Sequence, residues 1–258
     1  MRHLTLLLAS VLLATNLFAD TTPAANTPAA PSKNRSYTFV LVHGAWAGGW
    51  EWKKLGNALL ADGHTVYRPT LTGQGDRYHL ANRDIGLNVH IQDIANFIVW
   101  EDLRDVVLVG HSYGGAVITG VIDQIPDRIK HVIYVDAIVP ENGESAYDAF
   151  GRGHPRGKAV DGFLSLGDKT QRPPPHVVPQ SEKTFAEPIA LHNQERARRL
   201  PSTYILTADK ASEPEKDGFY VFYERAKKYG WKTIVMEGDH IVHLTKTQEL
   251  ARLLEEAP

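Results

Sequence analysis

The sequence predicts an α/β architecture: a sheet of about six mostly parallel strands, flanked by helices. Three observations predict it. From Tyr37 onward, short apolar runs alternate with segments whose apolar residues recur every three or four positions. Strands that alternate with helices pair in parallel and are covered on both faces. A serine between glycines, in LVGHSYGGAVITG at 108–120, falls between one such strand and one such helix. The alternation breaks between about residues 141 and 199, where Pro and Gly are dense and no strand period appears, as in an insertion that caps a core rather than extends it.

The elements follow in order. YTFVLV reads as a first buried strand, and WEWKKLGNALLADG as a helix stopped by Gly63. HTVYRP is a short strand, TLTGQGDRYHL a glycine-rich loop and VHIQDIANFIVWE a helix. VVLVG is a strand, GGAVITGVIDQI a helix, and HVIYVDAIVP a strand ended by proline. After the break come the strand STYILTAD, the helical stretch EPEKDGFYVFYERAKKYG, the strand KTIVME and the helix TKTQELARLLEEA. No internal repeat interrupts this series.

The chain ahead of Tyr37 is not fold. Residues 1–19, MRHLTLLLASVLLATNLFA, have a basic start, an apolar middle and a small residue at the end, the pattern of a secretory signal peptide cut after Ala19. Residues 20–36 are rich in Pro, Ala and Thr and read as a flexible linker, leaving residues 37–258 as the folded domain. The expected location is therefore periplasmic or secreted, with no stable membrane span, and N-terminal sequencing of exported protein would read the cut.

Composition narrows the chemistry. The 258 residues carry a formal net charge of −2, which gives no footprint for nucleic acid. There is no cysteine, so disulfides, thiolate metal sites and cysteine nucleophiles are excluded. His64, His79, His90, His154, His176 and His192 are scattered without the spacing of a zinc motif. No metal site and no cofactor is expected, and the expected partner is a small-molecule ester.

The glycine-flanked serine carries the chemistry. Gly110-His111-Ser112-Tyr113-Gly114 fits G-x-S-x-G in a strand–turn–helix setting. The turn forces strained backbone angles on the central residue and leaves no room for side chains beside it. The hydroxyl is lifted to a helix N-terminus, where negative charge is favoured. A serine needs a base, and His240 follows the last strand in MEGDHIVHL; His243, where the last helix begins, is expected to be structural. The base needs an orienting carboxylate. Asp209 closes the strand before the histidine strand and Asp136 closes the strand after the nucleophile. Both can reach, and strand position favours Asp209. An oxyanion hole would take its donors from the amides of Tyr113 and Ala45, the latter in the loop HGAWAGGW. Gly44 and Trp46 of that loop are expected to border substrate, His43 to bond loop backbone, and His111 to pack away from the reacting side.

With these residues placed, the chain from about Tyr37 to its end resembles the α/β-hydrolases. More narrowly, it resembles bacterial esterases of the pyrethroid hydrolase and salicylate esterase kind, relatives of plant methyl esterases and hydroxynitrile lyases. LVHGAWAGGWEWKKL, EDLRDVVLVGHSYGGAVITGV, YVDAIVPENGES, LPSTYILTADK and GDHIVHLTKTQELA carry the likeness. The resemblance implies the α/β-hydrolase fold, with a cap after its sixth-strand position, and a serine carboxylesterase acting through Ser112, Asp209 and His240. It implies the oxyanion donors Ala45 and Tyr113. The lyase branch has threonine after the loop histidine and lysine after the catalytic one; here Gly44 and Ile241 stand there, so cyanide elimination would lack its cation. Many of the esterases carry histidine where this chain has Ala47. A lactonase, amidase or C–C hydrolase could use the same three groups, and a non-catalytic ligand-binding protein could retain the fold.

Overall fold

The computed structural model describes residues 35–151, 158–167, 169 and 172–258. The segments read as signal peptide and linker therefore lie outside the described residues up to Asn34. Six strands form one parallel sheet: β1 (Thr38–Val42), β2 (Thr65–Tyr67), β3 (Val106–His111), β4 (Ile129–Val135) and, beyond two short strands of the cap, β7 (Ser202–Ala208) and β8 (Lys232–Glu237). Their order is β2-β1-β3-β4-β7-β8, so β1 and β3 lie side by side in the interior. The six strands expected from the alternation are these six.

Their side chains divide by parity, as a pleated strand requires. Val40, Val42, Leu108, Val132, Tyr134, Tyr204 and Leu206 face one core. Helices α2 (Leu87–Trp100) and α3 (Gly114–Gln124) cover it with Ile91, Ile94, Ile98, Val117 and Val121, and α7 (Tyr220–Lys228) adds Phe222 and Ala226. Phe39, Leu41, Val107, Val109, Ile133 and Ile205 face the opposite core. There α1 (Lys53–Ala61) contributes Leu55 and Leu59, and α9 (Thr247–Glu255) contributes Leu250 and Leu254. Burial on both faces explains why these strands are continuous apolar runs rather than alternating ones.

The excursion leaves after β4. It contains α4 (Ala146–Ala149), the antiparallel pair β5 (Phe163–Leu164) and β6 (Gln180–Ser181), α5 (Lys183–Ala186) and α6 (Gln194–Arg198). A capping box starts α4: Ser145 Oγ accepts from Asp148 N–H, and Asp148 Oδ2 accepts from Ser145 N–H. Trp46, from the loop after β1, fastens this cap to the sheet. Its N–H donates to Gln180 Oε1 at 2.8 Å, its carbonyl accepts from Val178 N–H at 2.8 Å, and its indole N–H donates to Leu164 O at 3.1 Å. Its ring stacks on Phe185 at 5.6 Å. These contacts hold Trp46 at a φ of 65°, which a non-glycine residue adopts only when its surroundings insist.

The helix expected from Thr245 is observed as α9, from Thr247, and a separate turn α8 (Val242–Thr245), which carries His243, precedes it. The helix expected from Glu213 begins only at Tyr220, because Pro214 and Gly218 break the first part into a loop.

Candidate active site

Strand β3 delivers Ser112 into a left-handed turn with φ 54°. The two glycines of the motif are there for space. A Cβ on Gly110 would stand 2.8 Å from the carbonyl oxygen of Gly114, and one on Gly114 would stand 2.7 Å from the carbonyl oxygens of Val42 and His43. Both contacts are with backbone, which cannot give way cheaply. The turn is fixed by Ser112 N–H donating to Val135 O at 3.3 Å and by Ile138 N–H donating to Ser112 O at 3.0 Å. Helix α3 then starts with its N-terminus behind the serine.

The loop after β8 places His240 above this turn. His240 Nε2 lies 3.0 Å from Ser112 Oγ, and His240 Nδ1 lies 2.5 Å from Asp136 Oδ2. Nδ1 therefore donates to the carboxylate, and Nε2 keeps a lone pair toward the hydroxyl. The His240 ring also stacks on Phe219 at 4.8 Å. The loop carrying it is tied to β3, because His111 Nε2 donates to His240 O at 2.7 Å.

The carboxylate on His240 is thus Asp136, and the expectation of Asp209 is corrected. Asp136 turns sharply off β4 with φ 45° and is fully buried. Its N–H donates to Ile205 O at 2.7 Å, and its Oδ1 accepts from Thr207 N–H at 3.2 Å. Neighbouring β7 therefore holds the carboxylate still. Asp209 follows the end of β7 and is exposed. It lines a second cavity of about 240 Å³ with Lys210, Lys216, Asp217, Asp239 and one side of His240, yet makes no hydrogen bond to His240 among the described residues. The physical reason is the backbone: the left-handed turn at Asp136 directs its side chain across the strand ends, whereas Asp209 continues outward.

The amides of Ala45 and Tyr113 border the same space. Neither N–H has a hydrogen-bond partner among the described residues, whereas the Trp46 N–H is taken by Gln180. Gly44 allows this close approach, since a Cβ there would stand 3.2 Å from Ser112 Cβ. The Tyr113 ring is anchored below, its hydroxyl 2.9 Å from His90 Nδ1 while His90 Nε2 donates to Thr72 O. Burial lowers the His90 pKa to about 4, so the imidazole is neutral and accepts from the tyrosine. His43 is held by backbone on both nitrogens, Nε2 accepting from Leu71 N–H and Nδ1 donating to Gly44 O.

A cavity of about 720 Å³ opens over Ser112. Trp46, Phe150, Leu166, Phe185, Phe219 and Leu244 give it an apolar wall, and Lys169, Arg172 and His176 also line it. Of the expected site residues, Gly44, Ala45, Trp46, Ser112, Tyr113 and His240 line this cavity and Asp209 does not.

Three features escaped the sequence. Phe219 and the turn that presents it were hidden inside a stretch with helical spacing. Glu51, His111 and His243 form a buried cluster drawn from three segments far apart in the chain, with no local spacing to betray it. The third is Asp217, whose pKa is pushed up to about 6, first by burial and then by the charge of Asp136. An unfolded aspartate ionises near pH 4, so folding penalises the charged form. The penalty is absent in acid, grows as pH rises from about 4 to about 6, and is fully present above. A two-unit shift corresponds to roughly 3 kcal/mol, which screening of a partly exposed group reduces to about 1 kcal/mol. Asp217→Asn keeps an acceptor for the Phe219 N–H, now held at 2.7 Å. It is expected to raise the thermal midpoint by about 3 °C at pH 7.5 and by about a third of that at pH 4.5. Equal gains in melts at both pH values would contradict this account.

Comparison with known proteins shows the family. Residues 39–253 match the sequence profile of the alpha/beta hydrolase family. A carbendazim hydrolyzing esterase from Nocardioides sp. (strain SG-4G) is 35% identical over 239 residues, covering 84% of this chain and 97% of the relative. An extracellular alpha/beta-hydrolase from a Paenibacillus species superposes with a TM-score of 0.68 at 25% identity, over 86% of this chain and 98% of that one. A pyrethroid hydrolase from Sphingobium faniae JZ-2 superposes with a TM-score of 0.64 at 23% identity, over 86% and 97%.

Proposed function

The chain belongs to the alpha/beta hydrolase family, and from that premise we propose that it is a serine carboxylesterase working through an acyl-enzyme. The observation that carries the reading is the continuous line from Asp136 Oδ2 through both ring nitrogens of His240 to Ser112 Oγ, at 2.5 and 3.0 Å. His240 Nε2 takes the serine proton as Oγ attacks the ester carbonyl carbon. Asp136 holds the tautomer that leaves Nε2 free and stabilises the imidazolium that forms. The Ala45 and Tyr113 amides receive the oxyanion, and fixed donors of this kind each lower the barrier by roughly 3 kcal/mol. His240 then protonates the leaving alcohol. Water, deprotonated by the same nitrogen, attacks the acyl carbon, and collapse of the second tetrahedral intermediate returns the proton to Ser112.

The substrate class follows from the cavity. Its apolar wall suits an ester with an apolar or aromatic moiety, and its volume of about 720 Å³ suits a molecule of drug size. The carbendazim hydrolyzing esterase, 35% identical over 239 residues, supports that class. No helix among the described residues is long and apolar enough to cross a membrane.

The test is covalent. p-Nitrophenyl butyrate should be turned over with a stoichiometric burst of nitrophenol. An organophosphate such as paraoxon should stop turnover and leave its mass on the peptide containing Ser112. Turnover that persists after full labelling, or label on another residue, would refute the reading.

A further inference from the structure

Behind the His240 loop lies a second group of titratable side chains that ester hydrolysis does not use. Glu51, in the turn Gly49–Trp52 before α1, His111 at the end of β3 and His243 in α8 each bring one ligand-type atom to within 4.8 Å of the others. All three residues are buried, and the side chains of His243 and Glu51 are 0% and 11% exposed.

Protein atoms do not satisfy this cluster. His111 Nε2 spends its proton on the His240 carbonyl, so Nδ1 carries a lone pair. That nitrogen and both nitrogens of His243 have no hydrogen-bond partner among the described residues. Among the described residues the Glu51 carboxylate has one ion-pair contact, His243 Nε2 at 3.7 Å, too far for a hydrogen bond. A neutral imidazole has one N–H to offer and two acceptors to serve. A buried carboxylate grouped with the His111 Nδ1 lone pair and an imidazole that has a single N–H calls for positive charge.

We propose that Glu51, His111 and His243 form a buried binding site for one divalent transition-metal ion of the zinc class. Two imidazole nitrogens and one carboxylate oxygen are a donor set that zinc takes readily. The bond from His111 Nε2 to a backbone carbonyl is the outer contact that fixes the tautomer and ring orientation of a ligating histidine. Gly44 keeps the approach clear, because a Cβ there would stand 2.9 Å from His111 Nδ1. Ligands at about 2.1 Å around a tetrahedral ion lie roughly 3.4 Å apart. The His243–Glu51 pair, at 3.7 Å, is close to that, and the other pairs lie within 4.8 Å, so small side-chain rotations would bring all three donors onto one ion. Glu51 and His111 also line the large cavity, which supplies an entry path and a side open to water. The ion would brace the loop carrying His240 against β3 through His111.

The test measures binding rather than hydrolysis, so it stands or falls apart from the esterase reading. Chelator-treated protein is dialysed against Zn²⁺ and its metal counted, and Co²⁺ is added as a spectroscopic probe. Wild type, Ser112→Ala and His240→Gln should each bind one ion per chain and show the visible ligand-field bands of bound Co²⁺. Glu51→Gln and His243→Gln, checked for folding by circular dichroism, should bind at least roughly 100-fold more weakly. Should one of the two fail to fold, the other decides. Substoichiometric binding by wild type would mean that an ordered water satisfies the three groups and would overturn the proposal. So would retention by a folded Glu51→Gln or His243→Gln variant, or loss in His240→Gln, which would place the ion on the active-site imidazole.

Discussion

Ser112→Ala is expected to lower kcat on p-nitrophenyl butyrate by roughly 10⁵-fold or more, while leaving the protein folded. The magnitude follows from what remains. Without Oγ no acyl-enzyme forms, and His240 can only assist direct attack by water. The two free amides and the cavity persist, so hydrolysis should still exceed that in buffer by roughly a thousandfold. The fold should tolerate the change. Ser112 sits at φ 54°, and alanine meets the same backbone strain as serine there. The lost contact is one half-buried hydrogen bond of 3.0 Å to His240, and the turn itself is held by backbone bonds to Val135 and Ile138. The thermal midpoint should therefore stay within about 3 °C. A variant that keeps a tenth of the wild-type rate would remove Ser112 from the mechanism.

Much of this was legible because the fold and the serine turn are written locally. A parallel strand buried on both faces shows as a run such as VVLVG, and a glycine that must clear a neighbouring carbonyl shows as a glycine. Gly110 and Gly114 were predicted on steric grounds, and the contacts their Cβ atoms would make, at 2.8 and 2.7 Å, are with backbone. The amides of Ala45 and Tyr113 could be placed for the same reason, since each belongs to the residue adjoining a recognisable turn. What was not legible depends on distant segments meeting. The cap strands β5 and β6 have two residues each, too few to carry a period. Trp46 was expected to wall the pocket, but its bonds to Leu164, Val178 and Gln180 make it the clasp of the cap as well. The cluster of Glu51, His111 and His243 joins residues from a turn, a strand end and a helix, and no local pattern records that meeting.

The choice of carboxylate shows the same limit at the level of mechanism. Asp136 and Asp209 both follow Ser112 and precede His240, both end a strand, and both follow an apolar run, so chain order cannot separate them. The backbone does. The expected result is that Asp136→Asn lowers kcat/KM by roughly 10⁴-fold near neutral pH, while Asp209→Asn stays within about threefold of wild type. Asparagine at 136 preserves shape and can still accept from Thr207 N–H, which bonds Asp136 Oδ1 at 3.2 Å, so the protein should fold. It removes the charge that the imidazolium needs, and an amide N–H facing Nδ1 favours the tautomer with its proton on Nε2, which cannot accept from Ser112. The environment makes the charge matter: Asp136 is fully buried, 2.5 Å from Nδ1, where water screens it little. Asp209 is exposed, and its influence on His240 passes through solvent and is weakened further by salt. Parallel kcat/KM measurements on the two variants, each checked by thermal melting, decide the matter. Collapse of Asp209→Asn with survival of Asp136→Asn would show that the 2.5 Å contact is not the one that catalysis uses.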